Sequence, residues 1–348
     1  MIFSDDAHAA TLIATLAERE TVAEDLARLP AGVAWVEVRA DLVGDLDPDW
    51  LRDRFAGKLL YTLRSQAEGG AASALPGERA RHLVSAAAYD YVDLEGALDL
   101  DPAVLSAVAA ERRVISWHGP ALDLVGLRAR FSELAAVPAA LYKMVPRALA
   151  HGDELLPLAL LKSVGRRDLV AFAGGEIGAW TRYLAPRLGA PVVYVAAGER
   201  AAAPGQPSAR RAIADYGLPA LPAIRALSGI AGNPVRGSLS PRLHNALYRA
   251  LGLPRAYLAF TVEGFGDFWL EVVESGSLEV LGFPLLGLSV TAPCKPSALA
   301  VAGASSPLAE RVGGANTLVK SGTVWEAETT DPEGVVAALL RQGVPLLG

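Results

Sequence analysis

The chain contains a single cysteine, Cys294, in 348 residues. That excludes a disulfide framework and any zinc site built on several thiolates, and it suits a reducing compartment. No uncharged apolar stretch approaches the ~18 residues that a membrane-spanning helix requires, so a membrane partner is not expected. The opening residues, Met-Ile-Phe-Ser-Asp-Asp, carry no basic segment followed by an apolar one and do not read as a leader; a cytoplasmic protein is expected. Basic residues are not in excess either. The formal net charge is −6, which argues against nucleic acid as a partner. Lysine is scarcest of all among the charged residues: five (Lys58, Lys143, Lys162, Lys295, Lys320) against 27 arginines.

That scarcity makes the position of Lys143 informative. It lies in Ala-Ala-Leu-Tyr-Lys-Met-Val (139–145), an apolar run with the character of a buried parallel strand. Arginine keeps its proton, whereas a desolvated lysine can become a neutral nucleophile. A lysine on a core strand therefore suggests Schiff-base chemistry on a ketone or aldehyde. The alternative is a lysine whose stem packs in the core while its ammonium reaches water.

The first 217 residues repeat one rhythm of short apolar strand and amphipathic helix. Strands are expected at 12–16, 34–38, 59–63, 91–94, 114–117, 139–144, 169–173 and 192–195, with helices between them, such as 78–89, 102–112, 126–136 and 178–188, and a last one at 208–216. Eight even units favour a closed (β/α)8 TIM barrel over an open doubly wound sheet. The proline-containing stretch 217–226 breaks the rhythm, and a domain boundary is placed there, giving domains 1–220 and 221–348. The second is a smaller α/β unit with expected strands at 227–231, 256–262, 286–291, 315–319 and 324–328 and helices at 241–251, 265–274 and 333–341.

In such barrels the functional groups stand at the C-terminal ends of the strands. Here those ends carry Glu37 and Arg39, then Arg64 with Glu68-Gly-Gly, Glu95, His118, Lys143, Arg182 and Gln206. Buried charges need partners, so this many in a plain core would be costly; one shared polar pocket explains them. Taken singly, His118 would more often be a structural histidine and Glu37/Arg39 an ion pair of the barrel wall. His82 and His151, in terminal or helical segments, are expected at the surface.

Glu37-Val-Arg39-Ala-Asp41, Thr62-Leu-Arg64 with Glu68-Gly-Gly, Ile115-Ser-Trp-His118, Tyr142-Lys143 and Ala-Pro-Gly-Gln206 together resemble the type I 3-dehydroquinate dehydratases, in that family's order, over residues 10–217. The resemblance implies a lysine Schiff base at Lys143 and general acid/base work by His118. Glu68 would orient the histidine, and Glu37, Arg39, Arg64, Arg182 and Gln206 would bind the substrate, 3-dehydroquinate. No cofactor is implied for this dehydration. Two departures stand out. Ala202 occupies a place where the family usually has serine, and Gly119-Pro120 follows His118 in place of Asp-Phe.

A second set of motifs lies in the smaller domain: Gly237-Ser238-Leu-Ser240-Pro241-Arg-Leu-His244-Asn245, Ser289-Val-Thr291-Ala-Pro-Cys-Lys295, Gly314-Ala-Asn316-Thr317 and Thr330-Asp331-Pro-Glu-Gly334. Hydroxyls, a lysine, an amide and a carboxylate suit a small polyol. Across residues 226–340 the set resembles the substrate-binding half of shikimate dehydrogenase. It implies Lys295 and Asp331 as a catalytic pair, with Ser238, Ser240, Thr291 and Asn316 binding shikimate or 3-dehydroshikimate. Thr329 stands where that family usually has asparagine. No G-x-G-x-x-G unit follows Gly334, so NADP is expected to act only if a further C-terminal domain is supplied, and shikimate oxidation by these 348 residues is not expected.

The expected function is thus dehydration of 3-dehydroquinate to 3-dehydroshikimate, in the shikimate pathway to aromatic amino acids, beside an incomplete shikimate dehydrogenase. The alternatives are a regulatory binder of the same metabolites and a Schiff-base aldolase. The sequence leaves a homodimer open.

Overall fold

The computed structural model describes residues 8–344 apart from Ala74; residues 1–7, which include the opening Met-Ile-Phe-Ser-Asp-Asp, and the last four residues lie outside the described residues. The chain divides into two compact units, Met1–Ala223 and Ile224–Gly348.

The first unit is built on eight parallel strands: β1 (Thr11–Leu16), β2 (Val33–Arg39), β3 (Lys58–Thr62), β4 (Tyr91–Glu95), β5 (Arg113–Gly119), β6 (Leu141–Pro146), β7 (Leu169–Ala171) and β8 (Val192–Ala196). They pair in sequence order, and β8 returns to pair with β1, so the sheet forms a near-closed barrel of the TIM type. The strands are short apolar runs rich in valine, leucine and tyrosine, and are buried because helices cover the outside. Asp101, Asp123 and Ser208 cap helices Pro102–Ala107, Leu124–Ala135 and Ala209–Tyr216 by accepting backbone N–H bonds in the first turn.

Strand side chains alternate between the two faces. On the inward face, Ile13, Leu60, Val114, Leu141, Val170 and Val192 belong to one apolar cluster, with Trp35 packed against it. One or two inward positions further along the same strands stand Thr15, Glu37, Thr62, Arg39, Ser116, His118 and Lys143. The barrel interior therefore changes from oily to charged along its axis, and the charged layer lies at the C-terminal end. A short antiparallel pair, His8–Ala9 with Ala220–Leu221, brings the two ends of this unit together; two-residue strands leave no periodicity by which a sequence would reveal them.

The second unit is a six-stranded mixed sheet of β9 (Ala226–Gly232), β10 (Arg255–Thr261), β11 (Leu285–Val290), β12 (Ala304–Ser305), β13 (Thr317–Ser321) and β14 (Val324–Glu328), in the order β10-β9-β11-β13-β14-β12. The first three run parallel, and β13 runs antiparallel to β11 and β14. This topology collects the motif residues at one edge. Ser238 and Thr291 follow the ends of β9 and β11, Asn316 precedes the start of the reversed β13, and Asp331 follows the end of β14.

Candidate active sites

Eight of the nine barrel residues singled out from the sequence line one cavity of about 770 Å³: Glu37, Arg39, Arg64, Glu68, His118, Lys143, Arg182 and Gln206; the ninth, Glu95, does not line it and is bonded to Arg64. Lys143 is 6% exposed, in the middle of β6. Its Nζ lies 4.0 Å from Glu37 Oε1 and 3.8 Å from the centroid of the Tyr194 ring. Glu37 is held by two hydroxyls, Thr15 donating to Oε2 at 2.6 Å and Thr62 to Oε1 at 2.8 Å. Burial drives the Lys143 amine down to about 8, with Arg64 and Arg39 pushing the same way and Glu37 and Asp93 opposing. The ammonium is thus destabilised by lost hydration more than it is stabilised by its carboxylate neighbours.

His118 is one inward position beyond Ser116, which stands opposite Lys143 in the β5–β6 register. Both its backbone N–H and its Nδ1 bond Glu68 Oε2, at 3.0 and 2.9 Å. When Glu68 is ionised it accepts from Nδ1, and the lone pair is then on Nε2. Burial, then the charges of Arg64, Lys143, Arg39 and Arg182, hold the imidazole well below its usual range, so the ring is neutral and able to accept a proton.

The turn that delivers Glu68 explains the two glycines after it. Gln66–Glu68 is a single 3₁₀ turn ended by Gly69 at φ +83°, and a Cβ on Gly70 would stand 2.2 Å from the Arg64 carbonyl oxygen. Any side chain at position 70 would push the turn outward and take Glu68 away from the histidine. Gly205 acts similarly for Gln206. With φ +73° it approaches the Gly175 carbonyl so closely that a Cβ would lie 2.4 Å from it, and Gln206 then donates to Thr15 Oγ1 at 3.1 Å. The Gln206 Oε1 accepts the Ala202 backbone N–H at 3.0 Å, so the residue at the alanine-for-serine position still touches the site through its main chain.

The three arginines have different surroundings. Arg39 is paired side-on with Asp41, both bonds 2.8 Å. Arg64 is gripped by Glu68 (2.9 Å), Glu95 (3.1 Å) and Asp93 (2.8 Å), and also donates to Ser116 Oγ at 3.0 Å. Arg79 adds a second guanidinium behind it, on Asp99 at 2.7 Å and Glu95 at 3.7 Å. Four carboxylates around two guanidiniums leave an excess of negative charge in a buried place. Accordingly Glu68 is pushed up to about 8 by burial, reinforced by Glu95 and Asp93 against the pull of Arg64. Arg182 has no carboxylate partner among the described residues. It lies 4.0 Å over the Phe172 ring with its Nε unbonded, and burial lowers it to about 10. A buried guanidinium without a counterion is a receptor for an anion.

Sequence reasoning missed Asp93, Ser116, Arg79, Asp99 and Tyr194. Asp93 had a signal: Tyr-Val-Asp93-Leu-Glu95 has the same alternation that singled out Glu37 and Arg39. His151 was expected at the surface and is instead 8% exposed, because it turns in to bond Glu154 (3.2 Å) just ahead of helix Leu155–Val164. His82 is half-buried and paired with Asp45.

In the second unit Lys295 Nζ is bonded to Asp331 Oδ2. Asn316 Nδ2 donates to Asp331 Oδ1 at 2.8 Å and to Thr330 Oγ1 at 2.9 Å. The Lys295 bond holds the Asp331 carboxyl below its usual range. Ser238 Oγ accepts the Ser240 N–H at 3.2 Å at the start of helix Ser240–Ala250, and Thr291 is tied to β9 through its N–H to the Ala231 carbonyl at 2.9 Å. Tyr257, unremarked in the sequence, donates to Ser289 Oγ at 2.7 Å and stacks on His244 at 4.2 Å. The described residues of this unit do not fit a dinucleotide. No strand runs through a glycine-rich loop into a helix N-terminus that could cradle a pyrophosphate.

A barrel with a desolvated lysine, a neutral histidine and an unpaired arginine around one cavity defines an enzyme-type site for a small anion. The family model of the type I 3-dehydroquinases matches residues 11–218, more than half of the chain, and the chain belongs to that family. The shikimate dehydrogenase substrate binding domain matches residues 230–318. The pentafunctional AROM polypeptide of Scheffersomyces stipitis is 26% identical over 361 residues, covering 96% of this chain and 22% of that protein. A shikimate dehydrogenase (NADP(+)) of Haloarcula marismortui is 42% identical over 120 residues, 34% of this chain and 43% of that one. The chain thus spans about a fifth and under half, respectively, of these two curated relatives. Among solved structures, the dehydroquinate dehydratase and shikimate dehydrogenase part of S. pombe AroM aligns over 96% of this chain and 67% of its own, at TM-score 0.51 and 22% identity, a likeness of fold. No helix among the described residues is long and apolar enough to cross a membrane.

Proposed function

We propose that the barrel dehydrates 3-dehydroquinate to 3-dehydroshikimate through a Schiff base on Lys143. The observation that carries this reading is the pairing, in one cavity, of an amine lowered to about 8 with a neutral His118 whose Nδ1 is engaged by Glu68. The neutral Lys143 amine adds to the C3 carbonyl carbon, and loss of water from the adduct, with uptake of one proton that the final hydrolysis releases, gives an iminium. The iminium accepts electrons, so the neighbouring C2–H becomes acidic. His118 Nε2 takes that proton, leaving an enamine. The enamine electrons expel the C1 hydroxyl, which leaves as water with the proton returned by His118. Hydrolysis of the product iminium restores the amine. One water is lost overall, and no oxidant is needed. Arg182, lacking a carboxylate of its own, suits the substrate carboxylate, while Glu37, Arg39, Arg64 and Gln206 offer contacts for its hydroxyls.

Turnover of 3-dehydroquinate, followed by the ultraviolet absorbance of the conjugated enone, tests the reading. The profile of kcat/KM should rise with pH and level off near about 8, because only the deprotonated amine attacks. Glu37→Gln should move that limb to lower pH, since the carboxylate favours the ammonium. No turnover at any pH, or a limb that ignores Glu37, would refute the assignment.

The second unit, by the same reasoning, binds shikimate or 3-dehydroshikimate through Ser238, Ser240, Thr291 and Asn316, with Lys295 and Asp331 placed at the reacting hydroxyl. Hydride transfer to NADP would need a nucleotide-binding domain in addition to these residues. Calorimetry of the 348-residue polypeptide with shikimate should show weak binding that drops about tenfold or more in Lys295→Ala, the scale of one charged hydrogen bond. Unchanged affinity in that variant, or steady NADP reduction by the polypeptide, would overturn this part.

A further inference from the structure

Tyr194, on β8, has a ring whose centroid lies 3.8 Å from Lys143 Nζ, while its hydroxyl is buried without a hydrogen-bond partner among the described residues. What the residue offers the amine is therefore its π-face. We infer that the Tyr194 ring is a catalytic platform that stabilises the positive charge of the Lys143 iminium. This deepens the Schiff-base reading above and rests on it.

The need for such a platform follows from the charges around the amine. Facing Lys143 are Glu37 from β2 and Asp93 from β4 on the negative side, with Arg39 and Arg64 on the positive side, and His118 is neutral. Burial already disfavours any cation there, and two guanidiniums add to it. Glu37 stands 4.0 Å away with both oxygens occupied by Thr15 and Thr62. An ammonium has three N–H donors with which to draw on a carboxylate or water. An iminium nitrogen has one, and part of its charge resides on the adjacent carbon. A π-face attracts a delocalised cation without requiring donors, and does so most strongly where water is excluded. Tyr194 supplies that face, and supplies it equally to the iminium of substrate and of product.

The test uses the full chain with tyrosine 194 replaced by phenylalanine and by phenylalanines carrying two and three ring fluorines, a series that drains the π-face at nearly constant shape. Borohydride trapping in the presence of 3-dehydroquinate reads the iminium fraction, and kcat/KM reads the pH limb. Tyr194→Phe, which keeps an aromatic face, is the reference against which the series is read. Across the fluorinated series and in Tyr194→Leu the trapped fraction should fall stepwise, by about 10- to 30-fold in all, the range of a desolvated cation–π contact. The pH limb should move down, because the ammonium is destabilised as well. A limb that moves up would mean the site had merely opened to water, and equal trapping across the series would mean the ring only fills space; either result overturns the inference. Absence of trapping in the parent chain would instead remove the Schiff-base reading on which it rests, a distinguishable failure.

Discussion

Replacing Lys143 by alanine should abolish turnover of 3-dehydroquinate, by on the order of 10⁵-fold or more, the scale on which loss of a covalent nucleophile acts. Lys143→Arg should be as inactive, because it keeps the charge and loses the nucleophile. Borohydride reduction with 3-dehydroquinate should add the ligand mass to the peptide carrying Lys143 in the parent chain and to no peptide in either variant. The inactivity should not come from unfolding. In the native state the amine is held near about 8 by burial, below its value in an unfolded chain. A lowered folded value means that protonation opposes folding, so stability is lost as pH falls through the folded value. Lys143→Met removes that group and should melt no lower than the parent at pH 7. A labelled Lys162, or an active Lys143→Ala, would end the covalent mechanism.

Much of this site was legible because buried strands leave few explanations for a charge. Glu37 and Arg39 two apart on an apolar strand, and a lysine among Leu141, Tyr142 and Met144, have no place to go but a shared interior. The eight strands were legible for the same reason: apolar runs of four to six residues between helical patterns. What the pattern did not carry was the pairing among the charges. Arg64 read only as a substrate ligand, and its guanidinium is also spread over Glu68, Asp93 and Glu95. Which arginine is left without a counterion is a property of the closed barrel, where residues from β3 and β4 meet, and sequence separation conceals it. Tyr194 was hidden differently. In Val-Val-Tyr-Val-Ala a tyrosine is an ordinary strand residue, and only the barrel's closure brings β8 round to place its ring beneath an amine from β6. In the second unit the serines, lysine and aspartate were legible as motifs, while the reason they converge is topological: β13 runs backwards, bringing Asn316 to the edge where β9, β11 and β14 end.

His118→Ala should lower kcat by about 10²- to 10⁴-fold, the range for a general acid/base, while leaving the Lys143 adduct trappable by borohydride. The separation follows from what each residue touches. The amine attack depends on Lys143 and on the charges that set its protonation, none of which alanine at 118 removes; the C2 proton and the departing hydroxyl depend on the imidazole. Glu68→Gln divides the histidine's role further. The amide oxygen can still accept the His118 N–H bonds, so the ring keeps its orientation, but the negative charge that Glu68 carries once ionised, above about 8, and that favours a protonated imidazole, is gone. The loss should be smaller, about tenfold, and should fall on kcat more than on KM, because the charge matters once the histidine holds the proton. It should also be partly offset, since Glu68 lies among Asp93 and Glu95 in a cluster with more carboxylates than guanidiniums, and a neutral amide relieves that excess. Near-parental turnover in His118→Ala would assign the proton transfers to another group in the cavity. A Glu68→Gln variant as slow as His118→Ala would mean that the carboxylate itself moves the proton, with the histidine as its support.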